Sequence, residues 1–214
     1  MKKVLAIAAL VAAMFVAGKV QAQSTIYATY APETFKASAT AYGQTYTNAT
    51  SYQGFSVGFN QNVKFFKGLG LGAGAQFRMN MRSAKDDLTL GSVTTKETQM
   101  LIEVPVLLNY AFSINSDFSV TPFVGPMMSL GLMGKTVTST HENILNTTTE
   151  STYDWYGDNS DMSRFNLYLV AGGNIRFSTF NLFGGYRMGM LDIDKSDYST
   201  LKTNGMFVGI GFNF

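Results

Sequence analysis

Residues 69–82 read LGLGAGAQFRMNMR and decide the fold, because apolar and polar residues alternate there with a period of two. One face carries Leu69, Leu71, Ala73, Ala75, Phe77, Met79 and Met81, and the other carries Gly70, Gly72, Gly74, Gln76, Arg78, Asn80 and Arg82. A period of two is typical of a β-strand with one apolar face. The same alternation returns at 164–177 and at the C-terminus, 204–214.

Extending this pattern along the chain predicts eight strands, at 26–40, 52–66, 69–82, 100–112, 118–133, 164–177, 180–191 and 204–214. Most of them reach the ~9–11 residues that a tilted strand needs to cross a bilayer. Short links alternate with long polar ones at 41–51, 83–99, 134–163 and 192–203. This alternation, with both termini at the short-turn end, is typical of a bacterial outer-membrane barrel. We therefore predict an all-β, eight-stranded, antiparallel up-and-down transmembrane barrel.

Composition favours the same class. Charged residues make up 14% of the chain, against about 25% in ordinary soluble domains. A soluble lipocalin-like barrel would share the alternation with its faces reversed, which would expose Gly70, Gly72 and Gly74 to water. Inside a narrow barrel, glycines leave room for larger side chains, so we favour the membrane reading. The absence of Cys excludes disulfide scaffolds and cysteine nucleophiles.

The N-terminus reads as a signal peptide. Lys2 and Lys3 precede an apolar run at 4–16, and Val20-Gln21-Ala22 is a small-residue cleavage site. We expect a signal peptide at 1–22 and an outer-membrane β-barrel domain at 23–214. The mature chain would carry 13 basic and 14 acidic residues, which gives no reason to expect nucleic acid as a partner.

Aromatic residues mark one end of the predicted barrel. Six apolar-face rings lie close to a short turn or the C-terminus: Phe65, Phe112, Phe118, Phe177, Phe180 and Phe214. Aromatic rings gather at membrane interfaces. We therefore expect contact with outer-membrane lipids in a Gram-negative bacterium.

Several segments resemble the outer-membrane β-barrel domain family that is abundant in Bacteroidota, the PorT-like group. The stretch 102–110 (IEVPVLLNY) resembles the family's "EIPLLLKY" strand, and 121–126 (TPFVGP) resembles "PYVGAGP". Downstream, 170–174 (VAGGN) is similar to "VAGLG", and 185–190 (GYRMGM) is similar to "RYSLGL" with Tyr and Arg transposed. The resemblance covers about 100–214. It implies an outer-membrane barrel and assigns no catalytic residues.

Chemistry-bearing motifs are weak. The single His, His141, precedes Glu142 and Asn143, and Asn143 stands where a lipid A deacylase would need Ser. Asp192, Asp194, Ser196 and Asp197 imitate the start of a calcium loop but lack its turn Gly and closing Glu. We therefore expect a non-enzymatic protein with no catalytic residue, cofactor or metal.

The longest predicted loop, 134–163, is acidic and contains the only Trp in the sequence Tyr153-Asp154-Trp155-Tyr156. Exposed aromatics can anchor a partner. Tyr153, Trp155 and Tyr156 are therefore candidate contacts for an extracellular or envelope protein. Alternatively, these rings pack on the barrel mouth and cap it.

Alternate residues of a strand face opposite sides, so with the apolar face outward a set of basic residues is predicted to point into the barrel: Lys36, Lys64, Arg78, Arg82, Arg176 and Arg187. Among the strand residues, only Glu103 balances them. Folding the hairpin between the third and fourth strands about its loop centre sets Arg78 opposite Glu103, so we expect these two to pair. Acidic residues of 134–163, or water, would neutralise the remaining basic groups.

Two functions are consistent with these features. The first is a non-enzymatic barrel with a closed polar lumen, whose long loops serve surface interaction or envelope structure. The alternative is a small porin or gated channel for ions or small solutes. In either case the alternating last strand, which ends with Phe212 and Phe214, resembles the signal that the barrel-assembly machinery reads.

Overall fold

The computed structural model describes residues 22–41, 44–89, 91–142, 147–158, 160–196 and 198–214. Its strands are β1 (Ala22–Tyr30), β2 (Glu33–Ala41), β3 (Gln44–Phe66), β4 (Leu69–Leu88), β5 (Gly91–Tyr110), β6 (Phe112–Ser113), β7 (Phe118–Glu142), β8 (Thr147–Asp154), β9 (Phe165–Phe177), β10 (Phe180–Gly189) and β11 (Ser199–Asn213). Nearly all of the predicted signal peptide, together with Asn143 and Asp197, lies outside the described residues. No helix in the described ranges is long and apolar enough to cross a membrane.

The strands close into a ring. Seven wall positions are each formed by one strand that pairs with its neighbours in antiparallel fashion: β3, β4, β5, β7, β9, β10 and β11. The eighth position, between β11 and β3, is formed by β1 and β2 together. β6 and β8 pair only with β7 and lie off the ring. The eight-stranded antiparallel barrel predicted from the alternation is confirmed.

The first wall strand is interrupted. The sequence predicts one strand at 26–40, whereas the structure ends β1 at Tyr30 and begins β2 at Glu33. Proline has no N–H to donate to a ladder, so Pro32 breaks the pairing. The Ala31 N–H still donates to the Gly54 carbonyl at 2.7 Å. The register on either side of the break is the same, so the wall stays closed without a bulge.

The long links are mostly β-structure. Pairing of β4 with β5 continues to Leu88 and Gly91, well inside the predicted loop 83–99. β7 runs to Glu142 and folds back into β8, inside the predicted loop 134–163. These extensions are rich in Thr, whose β-branched side chain favours strands. The predicted loops 83–99 and 134–163 are therefore largely paired strand, and the sheet continues beyond the width of a bilayer.

The outer face is apolar across the middle of the barrel. Exposed side chains there include Ile26, Val57, Phe77, Ile102, Val124, Ile175, Leu182, Val208 and Ile210. Of the six predicted girdle rings, all but Phe118 are between 56% and 69% exposed, and Phe118 is half-buried. The short-turn end contains a tight turn at Lys67-Gly68 and another at Ser178, each with positive φ. The apolar face therefore points outward, as a membrane barrel requires.

Candidate functional site

The lumen is crossed by four charged side chains from four wall strands: Glu33, Arg78, Glu103 and Arg187, here called the charged quartet. Each is at most 2% exposed. Arg187 contacts both acids, with Nη2 at 2.5 Å from Glu33 Oε2 and Nη1 at 2.9 Å from Glu103 Oε1. Arg78 Nη2 lies 3.4 Å from Glu33 Oε2. Two guanidinium groups balance two carboxylates, so the quartet carries no net charge. Buried charges persist when they are paired in this way.

Neutral groups complete the coordination of the quartet. Tyr168 Oη donates to Glu33 Oε1 at 2.8 Å, and Asn80 Nδ2 donates to Glu33 Oε2 at 2.9 Å. Gln76 donates to Glu103. The Arg187 guanidinium also lies over the Tyr168 ring, 4.8 Å from its centroid. Because each carboxylate accepts additional hydrogen bonds, the quartet is held by the wall as well as by its own ion pairs.

The predicted pair of Arg78 with Glu103 is wrong. Gln76 is the residue opposite Glu103, and Arg78 lies opposite Leu101, a register two residues away from the predicted one. Both side chains nonetheless point into the lumen. Arg78 pairs with Glu33, an acid that the sequence prediction overlooked because the strand pattern is weak around Pro32.

The other predicted lumen cations are distributed over the barrel. Arg82 lies near the extracellular mouth, where its Nη1 is 2.8 Å from Glu97 Oε2. Arg176 lies near the short-turn end, and its Nη2 donates to the Ser116 carbonyl at 3.3 Å. Lys64 is half-buried on β3. Lys36 was predicted inside but is exposed on the outer face. The acids that pair with Arg78, Arg82 and Arg187 come from β2 and β5, and the expected acids of 134–163 do not supply them.

An aromatic cluster closes the extracellular mouth. The buried side chains Phe35, Tyr52, Trp155, Tyr156 and Ile193 pack together there, and we call them the aromatic cap. Trp155 Nε1 donates to Thr136 Oγ1 at 2.7 Å. The Phe35 and Tyr52 ring centroids are 4.6 Å apart. The turn that follows β8 is thus folded inward over the lumen.

The cap is linked to the charged quartet by a chain of amides. Gln99 Nε2 donates to Tyr156 Oη at 2.8 Å, and Asn80 Nδ2 donates to Gln99 Oε1 at 2.9 Å. Asn80 also binds Glu33 of the quartet. Arg164 holds the cap from its other side, because its Nη2 donates to the Tyr156 carbonyl at 2.9 Å. Cap and quartet therefore form one continuous polar and aromatic plug.

Two glycines of β7 make room for the cap. A Cβ on Gly131 would lie 2.3 Å from the Tyr156 ring, and a Cβ on Gly134 would lie 2.9 Å from Trp155. No side chain fits at either position without moving the ring. The packing of Tyr156 and Trp155 over the lumen therefore requires glycine at both positions of β7.

The cap corrects the prediction of the partner-binding aromatics. Trp155 is 4% exposed and Tyr156 is 8% exposed, so both are unavailable to a partner. Tyr153 is 52% exposed and remains a candidate contact. The alternative that the rings cap the mouth therefore describes Trp155 and Tyr156.

A cavity of about 150 Å³ lies between the charged quartet and the short-turn end. Its walls are rich in amides, including Asn60, Asn62, Asn109, Asn174, Asn181 and Asn213. Asn62 and Asn109 bind each other, and Asn181 Nδ2 donates to Asn213 Oδ1 at 2.6 Å. Arg78 and Arg187 line the inner end of this cavity. Phe123, Phe183 and Phe207 also line it, so this half of the lumen holds open space with both amide and aromatic walls.

The sequence motifs considered for catalysis and metal binding lie on the β7–β8 hairpin and in the turn between β10 and β11. His141 Nδ1 is 3.1 Å from Thr148 Oγ1 across the β7–β8 hairpin. Asp192 accepts hydrogen bonds from the N–H groups of Asp194 and Leu201. Among the residues that the structure describes, no group of three potential ligands could hold a metal ion.

Asp194 stabilises the turn between β10 and β11. It accepts a hydrogen bond from the Ser196 N–H at 2.8 Å and another from the Ser199 hydroxyl. Burial raises the pKa of the Asp194 carboxyl, but these hydrogen bonds lower it by more, so the net pKa lies below its ordinary value. The acidic residues here therefore serve as turn acceptors.

The solved structures that are similar to this chain include Ail and Neisserial surface protein A. Ail, the attachment invasion locus protein of Yersinia pestis, in complex with the heparin analogue sucrose octasulfate, is 16% identical, with 90% of this chain and 99% of that chain covered and a TM-score of 0.44. Neisserial surface protein A is 15% identical, with 88% and 97% covered and a TM-score of 0.39. No curated protein matches the sequence.

A family model described as "Outer membrane protein beta-barrel domain" matches residues 20–195. The match covers most of the barrel, including the charged quartet and the aromatic cap. This chain therefore belongs to the outer membrane protein β-barrel domain family and is an outer-membrane protein of a Gram-negative bacterium.

Proposed function

We propose that this protein is a non-enzymatic barrel with a closed lumen, which presents rigid β-hairpins at the cell surface for interaction or envelope structure. The observation that carries the proposal is the plug, in which the charged quartet and the aromatic cap are joined through Asn80 and Gln99. A barrel built to conduct would have little use for two buried layers across its lumen. An eight-stranded barrel is also just narrow enough for side chains to fill it.

Conductance tests the closed lumen. The purified protein, inserted into a planar lipid bilayer, should give no steady single-channel current. A sixteen-stranded porin inserted under the same conditions serves as the control for detection. A steady, reproducible current from the wild-type protein would contradict the proposal.

The surface role is proposed for the β7–β8 hairpin, which includes Tyr153 and the edge strand β8. All residues of β8 are exposed. Replacing residues 138–151 by a two-residue turn removes the hairpin tip but keeps the bond between Trp155 and Thr136. We expect affinity capture of an extracellular or envelope protein by the intact barrel and its loss in this variant. Removing residues 39–46, which shortens the β2–β3 hairpin, is the matched control. This change should leave capture of the partner unchanged.

A gated channel is the second candidate, and the cavity of about 150 Å³ favours it. A solute entering from the short-turn end would meet only the plug before reaching the exterior. Opening would require Arg187 to release Glu33 and Glu103 together and the cap to move. Voltage-dependent openings in the bilayer experiment would select this function over the first.

We further propose the PorT-like group of Bacteroidota as the lineage. The four resembling segments lie on β5, β7, β9 and β10, in the wall of the barrel. We also propose cleavage after Ala22, which would leave Gln23, a residue lining the cavity, as the first residue of the mature chain. The mass of the N-terminal peptide of the mature protein, measured by mass spectrometry, tests the cleavage site. We also propose that the barrel-assembly machinery recognises Phe212 and Phe214 at the end of the last strand.

A further inference from the structure

Two lysines lie directly opposite each other on the outer face of the barrel. Lys36 on β2 is the register partner of Lys202 on β11, and both side chains are exposed. Register partners on one face of a sheet have Cβ atoms about 5 Å apart, and like charges at that distance destabilise the pairing. The placement therefore calls for a compensating anion.

The acid beside Lys202 in the described ranges, Asp192, accepts hydrogen bonds from the N–H groups of Asp194 and Leu201. Neither lysine takes part in an ion pair there. Ala49 is the partner of Lys36 on the other side, toward β3. The nearest outward positions along the two strands are uncharged and mostly carry hydroxyl or amide groups: Thr34, Ser38, Thr200 and Asn204.

The height of the pair on the barrel indicates what would supply the anion. The outward side chains of β11 are apolar from Phe214 to Met206, then change to Asn204 and Lys202. Exposed Tyr186 lies at this border and donates from Oη to Asn204 Oδ1 at 3.3 Å. Tyrosines of this kind mark the interface of a membrane. Lys202 lies two residues beyond Asn204, about 5 Å farther along the membrane normal for a tilted strand, at the level of lipid headgroups.

We propose that Lys36 and Lys202 form a binding site for a phosphate group of an outer-leaflet lipid. Lysine ammonium groups bind phosphate as point charges, and anionic lipid surfaces attract basic residues at the interface. One phosphate between the two ammonium groups would turn their repulsion into a bridge between β2 and β11. The hydroxyls of Thr34, Ser38 and Thr200 can donate to its remaining oxygens. The site joins the first wall strand to the last, where the barrel closes.

The test is thermal stability in phosphate-free dodecyl maltoside micelles, to which one probe is added at a time. The probes are bisphosphorylated lipid A, the same lipid after removal of its phosphates, and inorganic phosphate. For the wild-type protein, lipid A should raise the melting temperature by about 5 °C or more at saturation. The other two probes should leave it nearly unchanged.

The variant Lys36→Gln/Lys202→Gln gives the decisive readout, because its effect should change sign. Without lipid A it should melt at or above the wild-type temperature, since the repulsion is gone. With lipid A it should melt below the wild-type protein, since the bridge is gone. Lys67→Gln, at the short-turn end, is the control for lost charge and should respond to lipid A like the wild type. The single variant Lys202→Gln repeats the test if the double variant folds poorly.

Three results would overturn the proposal. The first is an equal response to lipid A in the double variant and the wild type. The second is an equal response to the lipid with and without phosphates. The third is full stabilisation by inorganic phosphate, which would make this a site for small anions and not for a lipid.

Discussion

Arg187 on β10 donates from Nη1 to Oε1 of Glu103 on β5 at 2.9 Å, although the two residues are 84 positions apart in the chain. β5 and β10 are not neighbours in the barrel wall. The ion pair therefore crosses the lumen and joins two wall strands that are not adjacent. Both side chains are at most 2% exposed, so the pair is shielded from bulk water.

Substituting Glu103 by Ala should strongly destabilise the barrel. The change leaves Arg187 with one buried acid in place of two, and breaking a buried pair costs about 3 kcal/mol or more. Urea unfolding in lipid vesicles should show this as a lower free energy of unfolding. The double variant Glu103→Leu/Arg187→Met should recover much of the lost stability. Glu33 and Arg78 then remain as one buried acid and one buried base, so no charge is left uncompensated.

A matched control uses an ion pair at the surface. Lys85 Nζ lies 2.7 Å from Asp87 Oδ1, and both side chains are more than half exposed. Asp87→Ala should cost less than about 1 kcal/mol. Equal losses from Glu103→Ala and Asp87→Ala would show that the charged quartet does not stabilise the wall.

Valine at Gly134 should open the aromatic cap. Its side chain would occupy the space of the Trp155 ring and push the indole toward water. Trp155 is the only Trp of the chain, so the fluorescence reports on this site alone. We expect a red-shifted emission and faster acrylamide quenching than in the wild-type protein. Gly157→Ala, where the added Cβ would meet only ordinary contacts, should leave the spectrum unchanged.

The turn between β10 and β11 should lose stability in acid. Because the pKa of Asp194 lies below its ordinary value of 3.8, the carboxylate's contribution to stability is fully present above that value. The contribution is lost as the pH falls through the lower pKa of the folded state. We expect the wild-type protein to melt above Asp194→Asn at pH 6, and the difference to shrink in acid. A difference independent of pH would argue against the hydrogen-bonded carboxylate.

Deleting Phe214 should impair assembly in the cell. Phe214 is 69% exposed on the outer face, and its N–H donates to the Ser24 carbonyl at 3.0 Å. The amount of folded, heat-modifiable protein in outer-membrane fractions should fall. The purified variant should still fold in detergent if the residue acts in recognition. Unchanged yield and gel mobility in the cell would contradict the assembly role.

The wall of the barrel follows from the sequence because lipid and lumen impose opposite demands on alternate residues. Leu71 and Arg78 differ in parity, and each lies on the face that its chemistry requires. Register does not follow in the same way. The prediction centred the β4–β5 hairpin on its polar segment, but the turn falls just after Leu88, which moves Glu103 from Arg78 to Gln76. Parity is unaffected by a slip of two residues, so no pattern within the strands reveals it.

Two acids of the lumen were missed for a related reason. Glu33 follows Pro32 in a stretch where alternation is weak, and Glu97 lies in a segment that was predicted as loop. Trp155 looks like a surface residue because its neighbours in the chain are polar. A usable signal for the extensions was present in their Thr content, at 94–98, 136–140 and 147–149, since β-branched residues favour strands. The burial of Trp155 depends on Gly134 in another strand, which no local pattern encodes.

The extension of the wall above the membrane has a mechanical consequence. β7 is 25 residues long, about 80 Å at 3.3 Å per residue, and less than half of that is needed to cross the hydrocarbon. Its ladder with β5 extends from Glu142 to Phe123, with one register shift at Met100/Leu101 and a gap between Pro105 and Leu108. A pull on the hairpin tip along the strands loads many parallel hydrogen bonds at once in shear, and does not peel them one by one. A partner bound at the hairpin tip is therefore held at a fixed height above the membrane, because the hairpin is a stiff extension of the barrel wall.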